Sequence, residues 1–219
     1  MAILTNIAKW VDTFKFFLES DNCPPHDYPI VIWSTERYPD KYILYNSEQL
    51  SAINKLNGFL SKINDSVIQI WDYSAENVKI LATYGITAKH VPPISPNWYK
   101  DKLKSYGDNH IYDVGFAGCV SERRNHIIDT LRSHGVSVNY MQTYGEERDK
   151  ALASCKILIN IHCFHDFTIF ESARCEPWLS IGKCVISENS LDNDPRCINV
   201  HYQIFVQTVL SVINQSSRK

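Results

Sequence analysis

Runs of β-branched and apolar residues alternate along this chain with segments of helical periodicity, and this alternation constrains the fold more than any other feature. Strand-like runs such as "VIQIW" (67–71) and "KILINIH" (156–162) are separated by helical patterns such as 74–84 and 121–134. Strand, crossover helix and strand form a βαβ unit, which gives parallel strands with helices on both faces of the sheet. The sequence therefore predicts an α/β fold with mostly parallel sheets. Further strand-like runs lie at 30–33, 42–46, 112–118, 137–141 and 183–188, and further helical patterns at 5–19, 47–61, 146–153, 170–181 and 201–214.

A proline-rich stretch, "HVPPISPNW" (90–98), interrupts this alternation. Prolines disfavour regular elements, and the βαβ rhythm starts again after them. The sequence thus predicts two Rossmann-like domains, residues 1–95 and 96–219, with the boundary near Ser95. Both are small for α/β domains, so we expect them to pack on each other, and the last helical pattern (201–214) is a candidate to pack back on the first domain.

Bulk composition excludes several classes of protein. A net charge of −2 and a pI of about 6.4 give no basic footprint for binding nucleic acid. No run of about 18 apolar residues is present and the start lacks a basic leader, which predicts a cytoplasmic chain without a transmembrane segment. Seven cysteines without a C-x-x-C pair argue against a complete disulfide framework and a zinc ribbon.

A glycine loop, "GFAGCVSERR", follows one predicted strand and opens a predicted helix. Gly115 and Gly118 allow close approach of the backbone, and Ser121 has the side chain of a helix N-cap. Arg123 and Arg124 add positive charge to a helix N-terminus, where acidic side chains would suit the helix better. This placement indicates an anion site; the alternative, a simple turn with two solvated arginines, carries equal weight on this stretch alone.

Several familiar sites are missing. The chain has neither a P-loop, nor G-x-G-x-x-G, nor a G-x-S-x-G elbow. His162 and His165 lie three residues apart at a strand end and so face different ways, which disfavours a metal site. Ile169 stands six residues after Cys163, where a cysteine phosphatase needs arginine.

Polar side chains follow successive predicted strands at one sheet edge. His162 ends one strand, Ser187 and Glu188 end the next, and Glu171 and Arg174 lie on one face of the helix between them. Ligands of open α/β sheets bind at this edge, and a carboxylate such as Glu171 can accept two vicinal hydroxyls. The alternative is a surface ion pair between Glu171 and Arg174, worth a few tenths of a kcal/mol.

These motifs together resemble the nucleotide-sugar-binding domain of GT-B glycosyltransferases of the glycosyl transferase group 1 kind. The stretches "FAGCVSERR", "NIH", "ESAR" and "SE" occur in the order and spacing of that family, and the similarity covers roughly residues 40–190. The first domain is shorter than the usual acceptor domain. The E-x7-E signature is absent, since Leu179 stands eight residues after Glu171, so the sequence assigns neither retention nor inversion.

The resemblance implies a metal-independent hexosyl- or deoxyhexosyltransferase without a separate cofactor, acting on a UDP- or GDP-linked sugar and a glycan or glycoprotein acceptor. Arg124 and Arg174 would stabilise the leaving phosphates, and Glu48 or Asp72, each following a first-domain strand, would take the acceptor proton, with His26 and Glu36 as weaker choices. A non-catalytic nucleotide- or sugar-binding module of a glycan-assembly complex is the alternative. The implied donor-binding residues are Gly115, Gly118, Arg123, Arg124, His162, Glu171, Arg174, Ser187 and Glu188.

Overall fold

A computed structural model describes residues 3–4, 16–18, 20, 23–32, 40–107 and 109–216. In these ranges the chain forms two five-stranded parallel sheets with helices between the strands. The predicted α/β class with parallel sheets is confirmed. Most of the predicted helix 5–19, and Glu36, lie outside the described residues.

The first sheet keeps its strands in chain order, β1-β2-β3-β4-β5. Its central strands are buried apolar runs, and each is followed by a helix that returns the chain for another parallel strand. Ser74 caps the second of these helices by accepting hydrogen bonds from the backbone of Glu76 and Asn77. The elements are β1 (Ile3–Leu4), β2 (Ile30–Ile32), β3 (Tyr42–Asn46), α1 (Ile53–Leu60), β4 (Val67–Asp72), α2 (Ala75–Thr83) and β5 (Lys89–His90).

The second sheet has the order β10-β9-β8-β6-β7. Its first strand, β6, therefore lies between β7 and β8, and the chain leaves β6 toward one side and later returns to build on the other. The elements are α3 (Asn97–Ser105), β6 (Tyr112–Ala117), α4 (Glu122–Ser133), β7 (Val138–Met141), α5 (Gly145–Ala153), β8 (Cys155–Asn160), α6 (Ser172–Leu179), β9 (Val185–Glu188), β10 (Ile198–Val200), a 3₁₀ turn (Tyr202–Ile204) and α7 (Phe205–Ser216).

Helices cover both faces of this second sheet. On one face α4 and α7 bury Ile128, Phe205 and Val209 against the strands. On the other, α3, α5 and α6 bury side chains such as Tyr99 and Trp178. The described part of the last helix therefore packs within the second half, against α4 and the strands, and its return to the first half stays a prediction.

Hydrogen bonds join the two halves at several points. The Gln49 side chain accepts from the backbone N–H of Ile169 at 3.0 Å, and Ser74 Oγ donates to Asp192 at 2.6 Å. Ser95, at the predicted boundary, donates its N–H to the buried carboxylate of Glu176 at 2.9 Å. The halves are thus held together at the linker and at the strand ends, while the division into two domains at Ser95 stays a prediction.

None of the helices in the described ranges combines the length and apolar composition that crossing a bilayer requires.

Candidate functional site

A cavity of about 420 Å³ lies where the carboxyl ends of strands from both sheets meet. Loops after β3 and β4 form one side, loops after β6, β7 and β8 form the other, and the start of α6 closes the end. This volume falls in the range of small-molecule sites. Its lining includes Ser47, Glu48, Gln49, Lys55 and Tyr73 from the first half, and Gly118, Cys119, Arg124, Gln142, Thr143, Tyr144, Arg148, Cys163, Phe164, Glu171, Ser172, Arg174 and Trp178 from the second.

In the second half, the cavity lies where the strand order of the sheet reverses. β6 and β8 are neighbours, while β7 lies on the far side of β6, so the loops leaving β6 and β8 diverge and open a crevice. Gly118 and Cys119 follow β6, and Cys163 follows β8; all three line the cavity. Open parallel sheets bind ligands at this reversal, outside the carboxyl ends of the strands.

Arg124 is the most strongly held charge on the cavity wall. Its side chain is 1% exposed, and its Nε donates to Ile161 O at 2.9 Å while Nη1 donates to Cys119 O at 3.1 Å. Nη2 reaches Glu171 Oε1 at 3.2 Å, and the guanidinium lies 5.1 Å from the Phe116 ring centroid. A buried cation fixed on several sides presents positive charge to the cavity in one orientation.

Gly118 makes room for this arginine. A Cβ at Gly118 would lie 2.9 Å from Phe116 Cζ and 3.3 Å from Arg124 Nη1, so a side chain there would force either group to move. Ser121 caps α4 by accepting from the Arg124 N–H at 3.3 Å. The loop therefore combines a close backbone approach, a helix N-terminus and a cation at the cavity.

Arg174 lies next to Arg124 and shares its counter-ion. The Glu171 carboxylate contacts both guanidinium groups, and Arg174 Nη1 also donates to Asn160 Oδ1 at 2.8 Å. Burial and the nearby Arg124 cation lower the pKa of Arg174 to about 9, so it remains protonated at neutral pH. Two cations and one carboxylate leave net positive charge at this end of the cavity. Glu171 occupies the N-cap position of α6, one residue before the helix begins.

Glu48 faces the same cavity from the first half. It follows β3, and its Oε2 lies 2.8 Å from Lys55 Nζ on α1. Its side chain is only 17% exposed, yet the lysine offsets the cost of burying its charge. Of the two carboxylates proposed from sequence to accept a proton, this is the one that lines the cavity.

Three hydroxyl oxygens on the cavity wall are buried and have no hydrogen-bond partner among the described residues. They belong to Ser47, Thr143 and Ser172, one after β3, one after β7 and one at the start of α6. Buried hydroxyls in proteins almost always find a partner. The residues line the cavity, but the three oxygens themselves are buried behind its surface.

Arg123, Glu188 and His162 do not line the cavity, contrary to their predicted role in donor binding. Arg123 forms a two-bond ion pair with Glu188 at 2.6 and 2.9 Å and lies over the ring of Tyr202. Glu188 also accepts from the His162 N–H at 3.0 Å. The His162 ring is buried against Asn189, which lowers its pKa. These contacts join the ends of β8 and β9 to the start of α4.

Ser187 and Gly115, also predicted to bind the donor, are not among the residues that line the cavity. Ser187 is fully buried, and its Oγ accepts from Asn160 Nδ2 at 3.0 Å, away from the cavity. Gly115 lies inside β6, where a Cβ would meet Cys155 Sγ at 2.7 Å and Leu158 Cδ2 at 2.8 Å. The missing side chain allows β6 and β8 to pack closely, and the glycine approaches a neighbouring strand, not a ligand.

Asp72 is a structural carboxylate and cannot reach an acceptor in the cavity. It is 0% exposed, and it accepts from Asn46 Nδ2 at 2.7 Å, Asn77 Nδ2 at 2.9 Å and the Ser74 N–H at 2.9 Å. The side chain that caps α2 is that of Ser74 and not that of Asp72. The weaker choice, His26, has its ring against Trp71 and its Nδ1 2.6 Å from Tyr28 O, and it is not among the residues lining the cavity.

Burial of Asp72 predicts a pH-dependent stability. Desolvation raises its pKa to about 7, above the unfolded value of about 3.9. The contribution of Asp72 to the stability of the fold is therefore full below pH ~4 and is lost as the pH rises toward 7. We expect the free energy of unfolding to fall between pH ~5 and ~7.5 by roughly 2 kcal/mol more in the parent than in Asp72→Asn, which cannot ionise. Urea denaturation of both proteins at the two pH values measures the free energy of unfolding. An equal change with pH in the parent and in Asp72→Asn would contradict the prediction.

Three further groups of the cavity lining are not among the site residues predicted from the sequence: Arg148, Cys119 and Cys163. Arg148 sits on α5, where its Nη2 pairs with Asp149 at 2.7 Å and donates to Tyr99 Oη at 3.1 Å. Cys119 and Cys163 place their sulfur atoms 3.4 Å apart on the wall. Their positions after β6 and β8 are a usable signal, whereas nothing in "GEERDKALA" distinguishes Arg148 from a surface charge. No group of three or more His, Cys, Asp or Glu side chains arranged to hold a metal ion occurs among the described residues.

The chain is similar to several proteins of Acanthamoeba polyphaga mimivirus. "Uncharacterized protein L137" is 38% identical over 161 residues, which is 70% of this chain and 21% of that protein. "Uncharacterized protein L140" is 36% identical over 159 residues, covering 69% of this chain and 50% of that protein. "Uncharacterized protein R358" is 31% identical over 189 residues, covering 82% of this chain and 64% of that protein. The chain thus spans from about a fifth to under two thirds of these relatives. No family model matches the chain, and no solved structure does.

Proposed function

We propose that this chain is a GT-B-type glycosyltransferase, which moves a sugar from a UDP- or GDP-linked donor to a hydroxyl of a glycan or glycoprotein. The observation that carries the proposal is the pairing of Arg124 and Arg174 around Glu171 in a cavity at the carboxyl ends of both sheets. The glycosyltransferase-like sequence motifs contribute each of these three residues.

The two arginines suit the charge that develops in such a reaction. Breaking the bond from the anomeric carbon to the donor leaves negative charge on a nucleoside diphosphate. Arg124 is fixed by backbone carbonyls and Arg174 by Asn160, so both cations are oriented before the ligand arrives. Preorganised cations in a closed cleft stabilise a leaving diphosphate, and this charge does not require a metal ion.

The other polar groups fit the remaining parts of the substrates. Glu171 faces the cavity and can accept from the ribose hydroxyls. Glu48 comes from the opposite half and can take a proton from the acceptor hydroxyl. A transferase needs both halves of this cavity, because donor and acceptor must meet between them.

The variant Glu171→Gln tests the role of this carboxylate. As a ribose acceptor, Glu171 should contribute a charged hydrogen bond, so we expect UDP or GDP affinity to fall by about 1–3 kcal/mol. Inorganic pyrophosphate has no ribose, and loss of the carboxylate beside two arginines should leave its affinity equal or higher. Calorimetric titration of both ligands in EDTA measures the difference.

Glu76→Gln provides the control, since Glu76 pairs with Lys79 on the surface of α2. It should bind both ligands as the parent does. If Glu171→Gln weakens pyrophosphate as much as the nucleotide, Glu171 only orients the arginines and the ribose role is wrong. If Glu171→Gln weakens the binding of neither ligand, Glu171 is not part of the binding site.

A further inference from the structure

Two thiols face each other on the wall of the cavity and have no part in the proposed transfer. Cys119 Sγ and Cys163 Sγ are 3.4 Å apart, and both residues line the cavity. A disulfide requires about 2.05 Å, so closing the gap needs a movement of only about 1.4 Å between two loop side chains. All seven cysteines are free, and Cys119 is the exposed one.

The two sulfurs differ in their exposure to solvent and in their contact with Arg124. Reactive cysteines lie in partly exposed, electropositive positions, and Cys119 is exposed with Arg124 Nη1 donating to its sulfur at 3.0 Å. Cys163 is buried, which raises its pKa, although the Arg124 cation opposes that shift. Cys119 is thus placed to meet an oxidant first, and Cys163 to react afterwards.

We propose that Cys119 and Cys163 form a peroxide-sensitive dithiol that closes to a disulfide in the cavity wall. The Cys119 sulfur attacks one oxygen of a hydroperoxide, the O–O bond breaks, and sulfenic acid forms with release of water or an alcohol. The Cys163 sulfur then attacks that sulfenic sulfur, the S–O bond breaks, and the oxygen leaves as water. Two thiols lose two electrons and two protons, and the peroxide oxygens accept them.

A ligand in the cavity should slow this oxidation, a consequence that rests on the proposed function. Arg124 contacts Cys119 directly, so a nucleoside diphosphate held by Arg124 would cover the exposed sulfur. At about ten times its Kd such a ligand occupies most molecules, and oxidation should slow roughly tenfold.

The test is mass spectrometry of the full chain after a short exposure to hydrogen peroxide and alkylation. The parent and the control Cys184→Ser should lose two hydrogen atoms and yield a Cys119–Cys163 cross-linked peptide. Cys163→Ser should instead give a sulfenic acid at Cys119 that dimedone traps, and Cys119→Ser should give no cross-link. Oxidation of the parent at Cys119 without a cross-link would overturn the proposal.

Repeating the exposure with UDP or GDP separates the two proposals. Slower cross-linking supports ligand shielding, and an unchanged rate with a nucleotide that calorimetry shows to be bound overturns it. If neither nucleotide binds while the cross-link still forms, the proposed function fails and the dithiol stands.

Discussion

Replacing Arg124 with alanine is expected to lower the free energy of unfolding by about 3–5 kcal/mol, since it breaks a buried ion pair and leaves the remaining partners without a donor. The carbonyl oxygens of Ile161 and Cys119 and the carboxylate of Glu171 would each lose a hydrogen bond. The same change should abolish nucleoside diphosphate binding. Chemical denaturation measures the first effect, and calorimetry at a temperature where the variant is folded measures the second.

Two further variants make this result specific. Arg132→Ala removes an exposed arginine of the same helix, whose nearest acidic partner is Asp129, and should change stability by less than about 1 kcal/mol. Arg124→Lys keeps the charge but loses the set of hydrogen bonds that the guanidinium makes. It should fold better than the alanine variant and still bind nucleotide weakly. An Arg124→Ala protein as stable as the parent would refute the structural part, and one with full nucleotide affinity would refute the functional part.

Replacing Glu48 with glutamine is expected to lower turnover by about 10²–10⁴-fold with little change in donor affinity, because a positioned general base contributes on that scale. Glu48 belongs to the first half and pairs with Lys55 there, so its loss should not disturb the arginines of the second half. The measurement is release of nucleoside diphosphate from UDP- and GDP-linked sugars in the presence of an acceptor, together with calorimetric donor affinity.

Glu76→Gln is again the matched control, because it also removes a glutamate paired with a lysine. It should leave turnover unchanged. A Glu48→Gln enzyme with normal turnover would remove Glu48 from the catalytic role. A parent that binds the donor but never releases product would favour the alternative of a non-catalytic binding module.

The parallel architecture could be predicted because its signal is local. Buried strands such as β8 are short apolar runs, and the start of α4 is marked by its own side-chain cap, Ser121. Short edge strands such as β10 (Ile198–Val200) carry no such run and were missed. Helix α3 was also missed, because it begins at Asn97 directly after the prolines that marked a linker.

The candidate site could be predicted only in part, because adjacent residues in a helix point in different directions. Arg124 turns inward to the cavity, while its neighbour Arg123 turns toward Glu188 and Tyr202. Asp72 is the last residue of β4 and Glu48 follows β3, yet only Asp72 is enclosed by asparagine side chains. These asparagines are brought to Asp72 by the tertiary fold. A residue's position at a strand end therefore predicts that it lies at the edge of the sheet, but not that it is exposed to a ligand.

The most direct test of the proposed donor site is calorimetric titration of the parent protein and of Arg174→Ala with UDP and GDP in EDTA. We predict one binding site for at least one nucleotide and an affinity loss of about 1.5–3 kcal/mol in the variant, the range of a hydrogen bond to a charged group. Binding should also stabilise the parent by roughly 2.7 kcal/mol at 100 times Kd. No heat from either nucleotide at millimolar concentration, or equal affinity in Arg174→Ala, would contradict the proposed donor site.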